Sequence, residues 1–198
     1  MRFKSSKFAW TVALLAAACG VAVIWVVASD SEVGDPADGN PESAAVDYEE
    51  ALAGAPPALA ALYANGDALI PGGPEAYGEQ LAALEGYPVV VNVWASWCGP
   101  CRTEFPHFQS VSAEHGDEVG FLGVDAQDPN AAAETFLDDY PLPYPSVTDP
   151  DREIWDQLGL RGLPGTAFYG RDGDLIHLKQ GPYLSEDELV ADVNRYAG

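Results

Sequence analysis

Two sulfur atoms carry the chemistry this sequence can do. Cys98 and Cys101 stand three residues apart in Trp97-Cys98-Gly99-Pro100-Cys101, directly after the β-branched run Val89-Val90-Val91-Asn92-Val93-Trp94. A strand that feeds a C-x-x-C at the start of a helix makes one sulfur a good nucleophile. The helix N-terminus carries about half a positive charge and unpaired backbone N–H groups, so it favours a thiolate over a thiol. Cys98 is therefore expected to attack. Cys101, one turn deeper, can reach back and displace whatever Cys98 has bonded to, closing a disulfide.

The elements that must position this pair can be read from the pattern around it. Val89 to Trp94 is an apolar strand, the helix carrying Cys101 runs to about His115, and Val119 to Asp125 is a second apolar run of strand length. Two such runs joined by a helix form a βαβ unit with adjacent parallel strands buried on both faces. Asp128-Pro129 reads as an N-cap followed by proline at the first helical position, opening a helix to about Tyr140. A short strand is expected at Ser146 to Thr148. A hairpin follows, with strands at Thr166 to Tyr169 and Leu175 to Lys179 around the turn Gly170-Arg171-Asp172-Gly173. Ser185 and Glu188 form a capping box for a last helix to about Tyr196. Upstream, short helices are expected at Pro57 to Ala64 and Pro74 to Leu84. The order β-α-β-α-β-β-α with a C-x-x-C after the first strand predicts an α/β, thioredoxin-like fold, a central mixed sheet flanked by helices.

The N-terminal quarter reads differently. Residues 1 to 7 form a basic tail with Arg2, Lys4 and Lys7, and Phe8 to Ala28 is an uncharged apolar stretch of 21 residues. As a helix it would span about 31 Å, enough to cross a hydrocarbon core of about 30 Å. The basic tail orients that end to the cytoplasm, so residues 8–28 are expected to be a signal-anchor in the cell membrane, with the rest of the chain outside. The rival reading is a cleaved signal peptide at Val26-Val27-Ala28, which would leave a secreted domain. Cys19 reads as a small membrane-buried residue. Residues 29–46 are rich in Asp, Glu, Gly, Pro and Ser and predict a disordered tether; 47–87 then form an N-terminal extension to a domain at 88–198.

Charge excludes some partners. Beyond residue 29 stand 31 acidic and six basic side chains, a net charge of −25. The basic patches that bind nucleic acid are absent, so nucleic acid is not an expected partner.

The stretch Asn92-Val93-Trp94-Ala95-Ser96-Trp97-Cys98-Gly99-Pro100-Cys101-Arg102-Thr103-Glu104-Phe105-Pro106 resembles the active-site segment of the TlpA/ResA/DsbE-like thiol-disulfide oxidoreductases. These are membrane-tethered, exported proteins of the thioredoxin-like superfamily. The resemblance implies reduction of disulfides outside the cytoplasm by the cysteine pair with no further cofactor. It implies a disulfide-bearing protein substrate, which in several members is apocytochrome c or a partner thiol protein, and a membrane thiol carrier as electron donor.

The resemblance also bears on single residues. Gly162-Leu163-Pro164-Gly165-Thr166 is similar to the segment whose proline is cis and faces the C-x-x-C. The residues alone allow a trans proline in a loop, whereas the resemblance implies a cis Pro164, with the Leu163 backbone pairing with substrate. Glu104, about one turn beyond Cys101, is either a solvated helix carboxylate or, as the resemblance implies, a half-buried acid that exchanges the Cys101 proton. Asn92 stands where thioredoxin has a buried aspartate, which moves the acid-base work toward Glu104. Trp97 is a candidate substrate surface, or else a packing residue. Gly99-Pro100 is the dipeptide of thioredoxin, a reductant, and favours reduction over the alternative of a disulfide-donating oxidase. A peroxidase is disfavoured by Ala95, where a threonine would be expected. A metal role would rest on two thiolates alone, which allows copper binding or delivery as an alternative but lacks the four ligands of a structural zinc site.

Overall fold

The computed structural model describes residues 52–198. The basic tail, the apolar stretch, the acidic tether and the first residues of the extension lie outside the described residues. Among the described residues no helix is long and apolar enough to cross a membrane.

The chain begins with helix α1 (Pro57–Tyr63), strand β1 (Leu69–Ile70) and helix α2 (Gly73–Ala83). Strand β2 (Val89–Trp94), helix α3 (Gly99–His115) and strand β3 (Gly120–Ala126) follow as the expected βαβ unit. Helix α4 (Asn130–Asp139), strand β4 (Ser146–Asp149) and helix α5 (Glu153–Leu158) lead to the hairpin β5 (Gly165–Tyr169) and β6 (Leu175–Gln180), and helix α6 (Glu186–Tyr196) ends the domain. The sheet order is β1-β4-β3-β2-β5-β6. The first four of these strands run parallel, and β5 and β6 are antiparallel, so the sheet is mixed.

The two-residue period of a strand divides the core. Val90 and Trp94 of β2 face a layer with Phe105 and Phe108 of α3, Phe136 of α4 and Leu189 of α6. Val89, Val91 and Val93 face the other layer, with Leu59 of α1, Tyr77 of α2 and Trp155 of α5. Both faces of β2 and β3 are buried, which is why they read as unbroken apolar runs. Residue 92 falls on the α3 face by the same alternation. Beneath the start of α3 sits an aromatic cluster: the Trp94 ring meets Phe105 edge-on at 5.3 Å and stacks on Phe136 at 5.2 Å. Such pairs contribute about 0.5–1.5 kcal/mol each beyond their burial.

Two elements depart from the sequence expectation. Strand β1 is too short to show an alternating pattern and forms only because it pairs with β4, Leu69 opposite Ser146 and Ile70 opposite Val147. Helix α5 has six residues and is capped from the end of β4, where the Ile154 and Trp155 N–H groups donate to the Asp149 carboxylate at 3.2 and 3.0 Å. A third correction concerns Asp128. Helix α4 starts at Asn130 after Pro129 with no side-chain cap, and Asp128 turns away from it. The capping serine of α6 is as expected: Ser185 Oγ accepts the Glu188 N–H at 3.3 Å.

Candidate active site

The C-terminal ends of the parallel strands and the N-terminal end of β5 meet at one edge of the sheet. Trp94 lies opposite Asp125, Asp125 opposite Thr148, and Val93 opposite Gly165. Helix α3 begins at this edge, with four residues between it and the end of β2.

Cys98 is the N-cap of α3. Its backbone is extended and its sulfur accepts the Cys101 N–H at 3.2 Å, the bond a serine or aspartate cap would take. An N–H aimed at the sulfur favours negative charge there. Pro100 sits in the first turn, where the missing N–H costs nothing, and Gly99 and Pro100 are exposed. Cys98 and Cys101 are joined as a disulfide with Cα atoms 5.3 Å apart. The two sulfur residues differ in access, since Cys98 is 4% exposed and Cys101 is fully enclosed.

Glu104 lies one turn beyond Cys101, on the buried side of α3 rather than half-exposed. Its Oε1 accepts the Asn92 side-chain amide at 2.9 Å, and its Oε2 accepts the Tyr183 backbone N–H at 3.0 Å. Burial pushes its carboxyl from 4.5 up to about 7, against the opposing pull of the Tyr183 N–H, the Asn92 amide and the Lys179 charge. The loop that presents the Tyr183 N–H is held by Lys179, whose Nζ donates to the Gly181 and Pro182 carbonyls at 3.3 and 3.0 Å.

The Leu163-Pro164 peptide bond is cis, as the resemblance implied. Pro164 is buried immediately before β5, and its carbonyl accepts the Gly181 N–H at 2.9 Å. Leu163 is half-buried and packs against both core layers. Trp97 is 57% exposed, so packing does not account for it; its indole N–H reaches the Gln127 carbonyl at 3.4 Å.

The fold thus gathers Asn92, Cys98, Cys101 and Glu104 around the start of α3, with Trp97 on the surface beside them. The segment between β2 and Cys98 has a second set of partners that the sequence does not announce. Asp128 accepts the Ser96 N–H at 2.5 Å and the Ser96 hydroxyl at 2.8 Å. Arg102 donates to the Ser96 carbonyl at 3.3 Å while its guanidinium covers the Phe136 and Tyr140 rings. An Asp-Pro pair signals a helix start locally, and only the tertiary fold redirects Asp128. Tyr183, 79 residues from Glu104, leaves no sequence signal either. Among the described residues, no three His, Cys, Asp or Glu side chains group so as to hold a metal ion.

A mixed sheet with a C-x-x-C capping the helix after its central strand, and a cis proline at the neighbouring strand, defines a thioredoxin-like protein. The chain belongs to the Redoxin family, whose pattern matches residues 76–194. It is similar to the thiol-disulfide oxidoreductase ResA of Oceanobacillus iheyensis, 33% identical over 60% of this chain and 62% of the relative. It is also similar to the thiol:disulfide interchange protein DsbE of Allochromatium vinosum, 34% identical over 58% of this chain and 65% of the relative. The chain therefore spans less than two thirds of the length of these relatives. Among solved structures, a secreted Mycobacterium tuberculosis disulfide oxidoreductase homologous to E. coli DsbE superposes with a TM-score of 0.53 at 30% identity, covering 58% of this chain and 85% of that one.

Proposed function

We propose that this protein is a thiol-disulfide oxidoreductase that works outside the cytoplasm and reduces disulfides in protein substrates, apocytochrome c or a partner thiol protein being the class implied by its resemblance. The observation that carries the reading is the placement of a carboxyl group with a pKa of about 7 one helical turn from an enclosed Cys101, while Cys98 sits at the surface end of the pair.

The steps balance as follows. The Cys98 thiolate attacks one sulfur of the substrate disulfide, a Cys98–substrate bond forms, and the other substrate sulfur leaves as a thiolate that takes a proton. The Cys101 thiol passes its proton to Glu104 and attacks Cys98, releasing the second substrate thiol and leaving the Cys98–Cys101 disulfide. A group with pKa about 7 is half ionised near neutral pH, so it can accept that proton and later return it. Trp97 and the Leu163 backbone supply an apolar surface and a main-chain edge for the substrate peptide. A membrane thiol carrier restores the dithiol, and the apolar segment at residues 8–28 holds the domain near it.

Two experiments test this. Cys98→Ser is expected to abolish turnover of a peptide disulfide, and Cys101→Ser to accumulate a mixed disulfide through Cys98; normal turnover by either variant refutes the assignment. A redox titration of the full chain tests direction. A potential near or below about −270 mV supports a reductase, whereas one near about −120 mV makes disulfide donation the function.

A further inference from the structure

Three carboxyl groups stand together at the sheet edge that carries the cysteines, and their hydrogen bonds are unequal. Asp149, fully buried, has both oxygens engaged by the Ile154 and Trp155 N–H groups. Asp128 has both oxygens engaged by Ser96. Asp125 is 1% exposed, and no protein group donates to either of its oxygens. Asp128, three residues on in the loop after β3, is the side chain that acts most strongly on its carboxyl.

Two ionised carboxylates cannot hydrogen-bond to each other, and a buried charge without a donor is costly. The arrangement is satisfied only if one of the pair keeps a proton. Asp128 already accepts two hydrogen bonds from Ser96 whereas Asp125 accepts none, so the proton belongs on Asp125. We propose that Asp125 is a positioning residue: protonated, it donates to Asp128 and holds that carboxylate on Ser96, so fixing the segment 95–98 that presents Trp97 and Cys98.

The surroundings agree. Asp125 ends β3, with Trp94 of β2 and Thr148 of β4 on either side, and neither carries charge. The charged groups acting on it are Asp128 from the loop after β3 and Asp149 from the end of β4, both negative. Arg152, three residues beyond Asp149, pairs with Asp156 at 3.3 Å and covers the Trp155 ring at 4.3 Å. Burial first, and then these two neighbours, push the Asp125 carboxyl from 3.8 up to about 8. Loss of the proton in mild alkali sets two negative charges against each other beneath Ser96 and loosens the clamp. The proposal rests on the oxidoreductase reading only in that Cys98 is taken as the attacking sulfur.

The test uses the oxidised full chain, in which neither cysteine titrates. The Ser96 amide proton resonance is followed by NMR from pH 5.5 to 10. In the wild-type protein it is expected to shift upfield with a midpoint between 7 and 9 as the clamp loosens. In Asp125→Asn, whose amide donates at every pH, the shift is expected to vanish while the dispersed spectrum is retained. A Ser96 resonance that titrates alike in both proteins overturns the proposal, as does one that is flat in the wild type. Should the variant fail to fold, the Asp125 side-chain carboxyl carbon in the wild-type protein decides: a midpoint above 6 supports the proton on Asp125, and one below 6 overturns it. None of these readouts requires turnover, so failure here is separable from failure of the proposed activity.

Discussion

At the scale of single residues the site is a problem of proton placement. Glu104 is buried without a cation in contact, held by one amide side chain and one backbone N–H, and its carboxyl rises to about 7. Glu104→Gln keeps the shape but has one accepting oxygen for two donors, the Asn92 amide and the Tyr183 N–H, and it cannot take the Cys101 proton. Resolution of the mixed disulfide at pH 7 is then expected to slow by about 100-fold or more, the scale of general acid-base catalysis, and to lose the inflection near pH 7; stopped-flow kinetics of product release checks both. The same residue has a stability signature. Its pKa is raised on folding, so the native state binds more protons than the unfolded chain between 4.5 and about 7, and the protein loses stability as pH rises through that window. Relative to Glu104→Gln, the wild-type protein is expected to lose on the order of 3 kcal/mol between pH 4.5 and 7.5, measured by urea unfolding at a series of pH values.

Elements place these residues, and here the sequence was legible in uneven measure. The run Val89 to Trp94, the helix carrying Cys101 and the hairpin turn at residues 170–173 are local patterns, and each appears where the periodicity and turn residues put it. The cysteine pair and its helix-start geometry follow from i, i+3 spacing on one helix; Glu104, which that spacing leaves solvated or half-buried, is fully buried under Asn92 of β2 and the Tyr183 loop. Strand β1 and helix α5 do not show a periodic pattern of their own: a partner strand creates the first, and the Asp149 carboxylate at the end of β4 caps the second. Asp128 was legible only as a cap, and its true partner, Ser96, lies 32 residues away. Tight packing between elements is likewise invisible in the sequence. The Trp94 indole donates to Ser146 Oγ at 3.1 Å, directly over Gly123, and a Cβ on Gly123 would collide with the Ser146 side chain and stand 3.0 Å from the Trp94 nitrogen. Gly123→Ala is therefore expected to destabilise the domain by about 1–3 kcal/mol, read as a lower urea midpoint at unchanged slope.

At the scale of the whole molecule, charge and access govern which partners reach the site. The chain carries a net charge of −22, and unlike charges attract over distances set by salt. A cationic peptide disulfide is expected to react faster than an anionic one of the same length, with the ratio shrinking as salt rises from 20 to 500 mM. Equal rates at low salt would show that the field is not felt at Cys98. The unequal enclosure of the two sulfurs has a consequence of another kind. A molecule large enough to be a protein can touch only one of them, so the adduct it forms has a single possible connectivity. The inner sulfur meets its outer neighbour and nothing else, which makes escape from a stalled adduct an internal event, paced by the domain and not by the size or abundance of whatever is bound.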